Sequence, residues 1–268
     1  MLKDITLGQY FPGTTLAHKL DPRTKILLVT LYIVALFCAK GLVTYGILAL
    51  CLAICVRISK VKIKALVKGL KPVLFIIIFT GILNLFFTQE GKLLVDFWVI
   101  RIYSGGLSRA AMMVIRILML ITCTFLLTYT TSPIALTDGL EALMNPLKKV
   151  KVPVHELSMM MCIALRFIPT LIEETDKIMC AQKARGADFE NGSLVERAKA
   201  LIPILVPLFI GAFRRADELA TAMECRCYQG GDGRTKMKLL RYRRGDFIAY
   251  GVGILLVAGV ITLVQFGL

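Results

Sequence analysis

The sequence is poor in residues that bind metals or carry acid–base chemistry. Its 268 residues include two histidines and one tryptophan, and 18 acidic residues stand against 33 lysines and arginines. Cys225 and Cys227 form a Cys-x-Cys pair with no second pair nearby, so the ligand spacing of a zinc site is missing. No Walker lysine loop and no Ser/His/Asp set is present. We therefore expect this chain to bind no metal or other cofactor and to have no catalytic residue.

A signal peptide, a disulfide framework and a nucleic-acid-binding surface are also not indicated. Residues 1–10 lack the charged-then-apolar pattern of a signal peptide. Several of the eight cysteines lie inside apolar runs, where they act as small apolar residues. Basic clusters interleaved with aromatic residues, which are typical of nucleic-acid binders, are absent. We expect no nucleic-acid partner.

Apolar sequence, in contrast, is abundant. Hydrophobic residues make up 57% of the chain and the mean hydropathy is +0.72, well above the range of soluble domains. In such a protein the net charge of +15 marks cytoplasmic loops. The composition therefore predicts an integral protein of the cell membrane, in contact with membrane lipids.

Apolar runs and basic segments divide the chain into four parts. Because a helix needs about 20 residues to cross a bilayer, the runs predict an all-α, polytopic membrane protein with about five transmembrane helices and long cytoplasmic helices. The parts are a cytoplasmic N-terminal segment (1–25), membrane core helices (26–131), a cytoplasmic helical segment (132–245) and a C-terminal transmembrane helix (246–268).

The first apolar run, from Ile26 to Val56, is interrupted only by Lys40 and Gly41. It is too long for one span and barely long enough for two. We interpret it as a tight helix pair, and a single tilted, kinked helix is the alternative. The predicted spans are Ile26–Ala39, Leu42–Val56, Pro72–Thr88, Ala110–Thr131 and Phe247–Phe266.

Basic segments set the predicted orientation. Residues 57–71, which we predict to be a short loop, and residues 148–151 are strongly basic and should face the cytoplasm. This places the N-terminus and residues 132–244 on the inside. Lys40, residues 89–109 and the C-terminus should then lie outside.

Three helices are predicted in the cytoplasmic segment, each from a local start signal. Ser132 and Pro133 supply the N-cap and the first-position proline of a short helix that ends at Asn145-Pro146. A long helical pattern then runs from Pro153 to Arg185. Ser193-Leu-Val-Glu196 is a capping box that begins a second long helix.

Both long helices contain apolar stretches that are short for a membrane span. The stretch in the first, Leu157–Ile172, covers only about 16 residues and includes Arg166. The stretch in the second, Ala200–Phe213, includes two prolines. We interpret both as helices that lie at the membrane face or pack on others, and we expect Pro169 to kink the first.

Two arginines close these long helical patterns. Arg185 is followed at once by Gly186, and Arg226 is followed soon after by Gly230, which is a helix C-terminal signal. Either arginine could be an ordinary helix-end cation, stabilised by the helix dipole by about 0.3–1 kcal/mol. Their pairing favours a second interpretation, in which each arginine binds a carboxylate of a partner protein. Small neighbours such as Ala184 would let a partner approach closely, and arginine binds carboxylates in a bidentate manner.

Three other groups of residues can be explained by structure as well as by function. An apolar group early in the first long helix either packs in the protein core or forms an adaptable surface for a partner. It consists of Met159, Met160, Cys162 and Ile163. Arg116 lies inside a predicted span, where it should snorkel or pair within the bundle. The acidic residues Glu173, Glu174 and Asp176 are expected on a solvated helix face.

The order of motifs resembles a known family. Ala184-Arg185-Gly186 and Arg226 are similar to the paired Ala-Arg-Gly motifs of the T component of energy-coupling factor transporters, which includes the cobalt-uptake type of transmembrane subunit. The second motif departs from that pattern, since it reads Cys225-Arg226-Cys227. The resemblance covers nearly the whole chain and extends to Asp21–Lys25, Thr130–Pro133, Leu165–Pro169 and Tyr228 with its Gly-Gly tail.

The resemblance implies a scaffold that links two ABC-type ATPase subunits to a separate substrate-binding membrane subunit, the S component. ATP and magnesium would be bound by the ATPase subunits, and substrate specificity would lie in the S component. The ATPase-coupling residues would be Ala184, Arg185, Gly186, Cys225, Arg226 and Cys227. The S component would contact Met159, Met160, Cys162 and Ile163.

Two other classes remain as alternatives. A self-sufficient permease would need polar or ionisable residues facing one another across several spans, and here Arg116 is nearly alone, with Asn84 as the other candidate. A membrane-embedded enzyme would need clustered histidines or acids at a membrane face, whereas His18 and His155 are scattered. The sequence therefore favours the coupling subunit.

Overall fold

A computed structural model of the chain describes residues 10–39, 41–87, 93–97, 100–187, 189, 193–231 and 239–266. Almost all of the regular structure in these ranges is helical, which confirms the predicted all-α class. In chain order the elements are α1 (Leu16–Lys19), α2 (Pro22–Cys38), α3 (Leu42–Ser59), α4 (Ile63–Phe87), β1 (Leu93–Phe97), β2 (Ile100–Tyr103), α5 (Ser104–Thr130), α6 (Pro133–Met144), a 3₁₀ helix (Asn145–Val150), α7 (Val154–Ala184), α8 (Leu194–Glu224) and α9 (Arg244–Gln265).

Within the described ranges, the chain folds as two compact units. Residues 10–142 and 240–266 form the first, which we call the bundle unit, and residues 143–239 form the second, which we call the hairpin unit. The chain therefore passes out of the bundle unit after residue 142 and re-enters it at residue 240.

After the four-residue α1, the bundle unit continues with the predicted pair of helices. Asp21 caps α2, because its side chain accepts a hydrogen bond from the Arg23 N–H at 3.0 Å, and Pro22 occupies the first turn. α2 and α3 are separate helices joined near Gly41, so the helix pair is confirmed over the single kinked helix. Lys40 itself lies outside the described residues.

Four helices share the core of the bundle unit. Side chains of α2, α3, α5 and α9 pack together, and Leu36 and Leu48 at its centre have no exposed surface. The outward faces remain apolar, as expected for helices that meet lipid on one side. The core members are Tyr32, Ala35, Leu36, Ala39, Tyr45, Leu48, Leu52, Met119, Cys123 and Val260.

The basic segment after α3 was wrongly predicted to be a loop. α4 begins at Ile63, so most of residues 57–71 is helical, and Pro72 lies inside α4 and not at its start. Residues 93–103, part of the segment 89–109 for which no regular structure was predicted, form an antiparallel hairpin in which Val95 opposes Ile102. Thr88 and Trp98 lie outside the described residues.

Five helices in the described ranges are long and apolar enough to cross a membrane, namely α3, α4, α5, α7 and α9. The number agrees with the prediction, but the set differs. α2 has 17 residues, which is at the short limit for a span. α7 has 31 residues and a window of mean hydropathy 1.3, lower than that of the other four. Length and composition thus do not separate α7 from the spans, and its cytoplasmic placement stays a prediction.

The hairpin unit is built from α7 and α8. Both helices begin and end close to the predicted positions, and the capping box is confirmed by the Ser193 N–H donating to Glu196 Oε2 at 2.8 Å. Pro169 lies inside α7, and its predicted kink stays a prediction. α6 starts as expected, with the Ala135 N–H donating to Ser132 Oγ at 3.3 Å.

Candidate functional site

Arg185 lies at the end of α7, where the helix closes in a Schellman motif. Gly186 has a left-handed backbone with φ of 88°, and its N–H donates to the Lys183 carbonyl at 3.0 Å. The Ala187 N–H donates to the Gln182 carbonyl, also at 3.0 Å. These two bonds satisfy carbonyls that the end of a helix would otherwise leave open.

Arg226 occupies the same position at the end of α8. Cys227 has a left-handed backbone with φ of 56°, and its N–H donates to the Glu224 carbonyl at 2.8 Å. The Tyr228 N–H donates to the Met223 carbonyl at 3.1 Å. The two helix ends therefore use the same pair of bonds, residue for residue.

This equivalence explains how cysteine stands in the second motif where the related pattern has glycine. The position after each arginine must adopt a left-handed backbone, which glycine does without a penalty and a residue with a Cβ does at a cost of about 1–2 kcal/mol. Cys227 takes that conformation, and the backbone that carries Arg226 keeps the geometry seen at Arg185.

Both arginines are available to a partner. The side chains of Arg185 and Arg226 are exposed, as are their neighbours in each motif, Ala184 and Gly186, and Cys225 and Cys227. Over the described residues, neither guanidinium takes part in an ion pair. A cation at a helix C-terminus needs no side-chain partner, because the dipole already favours it.

The structure places the two arginines at opposite ends of one antiparallel hairpin. Near Arg185, Gln182 Nε2 donates to the Pro203 carbonyl at 3.4 Å. At the other end, Gly231 lies against His155, since a Cβ on that glycine would be 2.7 Å from the ring Cδ2. From Pro203 to Arg226 the helical rise alone amounts to roughly 35 Å. The two side chains therefore cannot meet one ligand.

Two polar contacts join α7 and α8 between the ends of the hairpin and its middle. Arg215 forms an ion pair with Glu174, which corrects the expectation that Glu174 is simply solvated. Gly211 makes room for that carboxylate, because a Cβ there would be 3.2 Å from Glu174 Oε1. Pro207 has no N–H for the Pro203 carbonyl four residues earlier, and the Gln182 bond occupies that acceptor. The hairpin is thus held by specific polar contacts.

The predicted partner surface on α7 is partly exposed. Met160 is 54% exposed, whereas Met159, Cys162 and Ile163 are half-buried. Met161, which completes the run of three methionines in this surface, is 43% exposed.

A larger apolar surface lies on α8, within the predicted apolar stretch Ala200–Phe213, and was not predicted to contact a partner. Its members recur every three or four residues, a spacing that would have revealed it, and they are 49–66% exposed. We call it the α8 apolar face. It consists of Leu201, Ile202, Leu205, Val206, Phe209, Ile210 and Phe213.

The polar residues inside the bundle unit are engaged by protein groups. Arg116 Nε donates to the Tyr45 hydroxyl at 2.7 Å and Nη2 donates to the Ala39 carbonyl at 3.3 Å, which confirms pairing within the bundle. Asn84 Nδ2 donates to the Thr80 carbonyl at 3.0 Å. A groove of about 300 Å³ between α4 and α5 is lined by apolar residues, among them Gly81. None of these features resembles a polar substrate path.

In the part of the chain that the structure describes, no group of three His, Cys, Asp or Glu side chains could hold a metal ion. What the geometry defines is a multi-pass membrane protein with a long helical hairpin that presents one exposed arginine at each end.

The chain belongs to the cobalt transport protein (CbiQ) family, whose sequence profile matches residues 13–237. It is 52% identical over 263 residues to the energy-coupling factor transporter transmembrane protein EcfT of Ruminiclostridium cellulolyticum, covering 98% of both chains. It is 55% identical over 250 residues to the EcfT of Clostridium kluyveri, covering 93% of both. The EcfT of Bacillus subtilis is 51% identical over 246 residues, 92% of this chain and 93% of the relative.

Proposed function

We propose that this chain is the transmembrane energy-coupling subunit of an energy-coupling factor importer. It links ATP hydrolysis by two ABC-type ATPase subunits to movement of a separate membrane subunit that binds a vitamin or a metal ion. The chain itself is non-catalytic, and ATP with magnesium is bound by the ATPase subunits. Its place as a component of a multi-subunit transporter follows the names of its relatives.

One observation carries the proposal: two equivalent helix ends present Arg185 and Arg226 at opposite ends of one hairpin. Two copies of one ATPase would need two equivalent docking points that are far apart. A repeated Schellman motif with an exposed arginine supplies them. Arginine is suited to this role because its planar fork binds a carboxylate through two parallel hydrogen bonds.

The substrate-binding subunit would pack against the apolar surfaces of the hairpin. Met159, Met160, Cys162 and Ile163 on α7 remain the proposed contact, and we add the α8 apolar face. An exposed apolar surface of this length usually marks a protein or membrane contact. Methionine and phenylalanine supply adaptable and large contact area, respectively.

The proposed orientation has the N-terminus and residues 132–245 in the cytoplasm and the C-terminus outside. The support is the distribution of lysine and arginine in the connecting segments. Exposed lysines at positions 64, 68 and 71 lie in the first turns of α4, the end that the rule assigns to the cytoplasm.

The test is purification of the chain from its own cells in mild detergent. We expect two ATPase subunits and a small membrane subunit to co-purify. A chain that purifies alone and takes up substrate in liposomes without any ATPase subunit would instead support a permease. The engaged Arg116 and Asn84 side chains and the apolar groove give that alternative no support.

A further inference from the structure

The start of α2 belongs to the bundle unit and contacts the segments by which the chain leaves and re-enters that unit. The sequence there is Asp21-Pro-Arg-Thr-Lys25. The chain leaves the bundle unit through α6, which ends next to residue 142, and returns at residue 240 just before α9. Side chains of this five-residue segment contact both of these segments. We call the segment by which the chain leaves the bundle unit the outgoing passage, and the one by which it returns the returning passage.

Lys25 holds the outgoing passage. Its ammonium donates to the Thr130 carbonyl at 2.9 Å, to Thr131 Oγ1 at 3.2 Å and to the His18 carbonyl at 3.4 Å. Thr130 is the last residue of α5, and α6 begins three residues later. An ammonium has three N–H donors, so these bonds use all of them. The Lys25 side chain is buried, with 7% of the residue exposed.

α6 also packs directly on the beginning of α2. A Cβ on Gly139 would lie 3.0 Å from Pro22 Cβ and 3.2 Å from Ile26 Cδ1. Gly139 and Thr137 are buried. The helix that carries the chain out of the bundle unit therefore has little free space to move against α2.

Arg23 and Asp246 hold the returning passage. Arg23 Nη2 donates to the Leu240 carbonyl at 3.2 Å, and the guanidinium lies 5.1 Å from the centre of the Tyr242 ring. The Asp246 carboxylate, 1% exposed, accepts from the Asp21 N–H at 2.9 Å and from the Arg243 N–H at 2.7 Å. One buried carboxylate thus joins the starts of α2 and α9.

The charged groups at the two passages also interact with one another. Burial lowers the pKa of the Lys25 ammonium to about 8, and the carboxylates of Asp246 and Asp21 act in the opposite direction. A buried charge that loses its partner or its hydrogen bonds is unfavourable, so such a cluster keeps a single geometry. Displacement of either segment would break these hydrogen bonds and leave buried polar groups unpaired, which is unfavourable.

We propose that Asp21, Arg23, Lys25 and Asp246 form a clamp that passes movement of the hairpin unit into α2 and α9. This inference rests on the proposed function, because it requires ATP-driven movement of the hairpin. The four are positioning residues: they touch neither nucleotide nor substrate. They act by keeping both chain passages fixed to the membrane helices, so that displacement of the hairpin is not absorbed at the junction.

The experiment is hydrogen–deuterium exchange of the complex purified with its ATPase subunits, with and without Mg-ATP. In the wild-type complex, ATP should change the exchange of backbone amides in α2 and α9. In Lys25→Met and Arg23→Gln that ATP-dependent change should be lost, although the ATPase subunits are retained. Lys25→Arg, which keeps the charge, should restore part of it.

A matched pair of variants separates the clamp from ordinary stability. Thr131→Val removes one buried hydroxyl at the clamp, and Tyr32→Phe removes one that donates to the Leu48 carbonyl at 3.1 Å inside the bundle core. Both should lower thermal stability by a similar amount. Only Thr131→Val should reduce the ATP-dependent exchange of α2 and α9.

Two results would overturn the clamp. The wild-type complex could show no ATP-dependent change in α2 and α9, or the clamp variants could retain the wild-type change. Arg23, whose side chain is 22% exposed, keeps the test decisive if Lys25→Met does not fold. A wild-type chain that retains no ATPase subunit would instead refute the proposed function, which is a separate outcome.

Discussion

Cys227 adopts the left-handed backbone that Gly186 adopts, with φ of 56° against 88°, at the same position of the same helix-ending motif. At Gly186 a Cβ would meet no atom within 4 Å. Its replacement is therefore opposed by backbone conformation alone and not by a clash. The two positions form a natural comparison of glycine and a non-glycine residue at one structural site.

We expect Cys227→Gly to stabilise the end of α8 and Gly186→Ala to destabilise the end of α7, each by about 1 kcal/mol. Gly186→Asn should cost less than Gly186→Ala, because asparagine tolerates the left-handed region better. The measurement is local hydrogen exchange of the Ala187 and Tyr228 amides. Equal protection in Gly186→Ala and Gly186→Asn would contradict a conformational cause.

The two arginines should act as docking points for the ATPase subunits. Removing one partner of a buried charged pair at an interface typically costs about 2–5 kcal/mol, or a factor of roughly 30 or more in affinity. We therefore expect Arg185→Glu or Arg226→Glu to weaken retention of ATPase subunits by at least that factor, and alanine to be milder. The double glutamate variant should abolish substrate uptake and leave the membrane fold intact.

Lys177→Glu is the matched control for the arginine variants, since it reverses one exposed charge within α7, two turns before its end. It should retain the ATPase subunits and uptake. Normal uptake by the double arginine variant in a fully assembled complex would mean that both arginines are only helix-end cations.

The apolar surfaces of the hairpin should bind the substrate-binding subunit. Met160 and Phe209 are 54% and 66% exposed, so a charged side chain would remain hydrated in the free chain and would be buried only in the complex. We expect Met160→Glu and Phe209→Glu to reduce co-purification of that subunit and to spare the ATPase subunits. Loss of both partners together would identify the surface as packing that the hairpin needs to fold.

Native cysteines report the orientation without any substitution. Cys180, Cys225 and Cys227 are exposed in the hairpin unit, which the proposed topology places in the cytoplasm. A membrane-impermeant maleimide should label Cys180 only after the cells are made permeable, and peptide mapping by mass spectrometry would locate the label. Strong labelling of Cys180 in intact cells would reverse the proposed orientation.

The Glu174–Arg215 ion pair should stabilise the middle of the hairpin. Both side chains are partly exposed, at 29% and 26%, so we expect each of Glu174→Gln and Arg215→Met to cost on the order of 1 kcal/mol. The exchanged pair Glu174→Arg with Arg215→Glu should recover part of the loss. The measurement is resistance of α7 and α8 to limited proteolysis, with no recovery as the contradicting result.

Local signals in the sequence were enough to predict most helix ends. Asp21 with Pro22, Ser132 with Pro133, and the Ser193 capping box each act within a few residues, so the chain itself specifies them. The arginine-bearing ends were predicted for the same reason.

Two kinds of feature were not predicted: helical structure in a strongly basic segment, and contacts between residues far apart in the sequence. The pattern of basic residues before Pro72 predicts a loop, yet lysine favours helices, and α4 extends through them. The Asp21–Asp246 contact joins residues 225 positions apart. No local pattern reveals such a contact, because each carboxylate by itself has the features of an ordinary helix cap.

The hairpin unit buries very little of itself. Along the described parts of α7 and α8, Val154, Ser158 and Ile204 are the buried residues, while the α8 apolar face stays open. A subunit that has not yet met its partners therefore displays the kind of surface that chaperones and proteases recognise. We would then expect surplus copies to be degraded and assembled ones to be spared, which would match the numbers of the subunits. Subunit stoichiometry would be set after synthesis, by turnover, and not by equal expression.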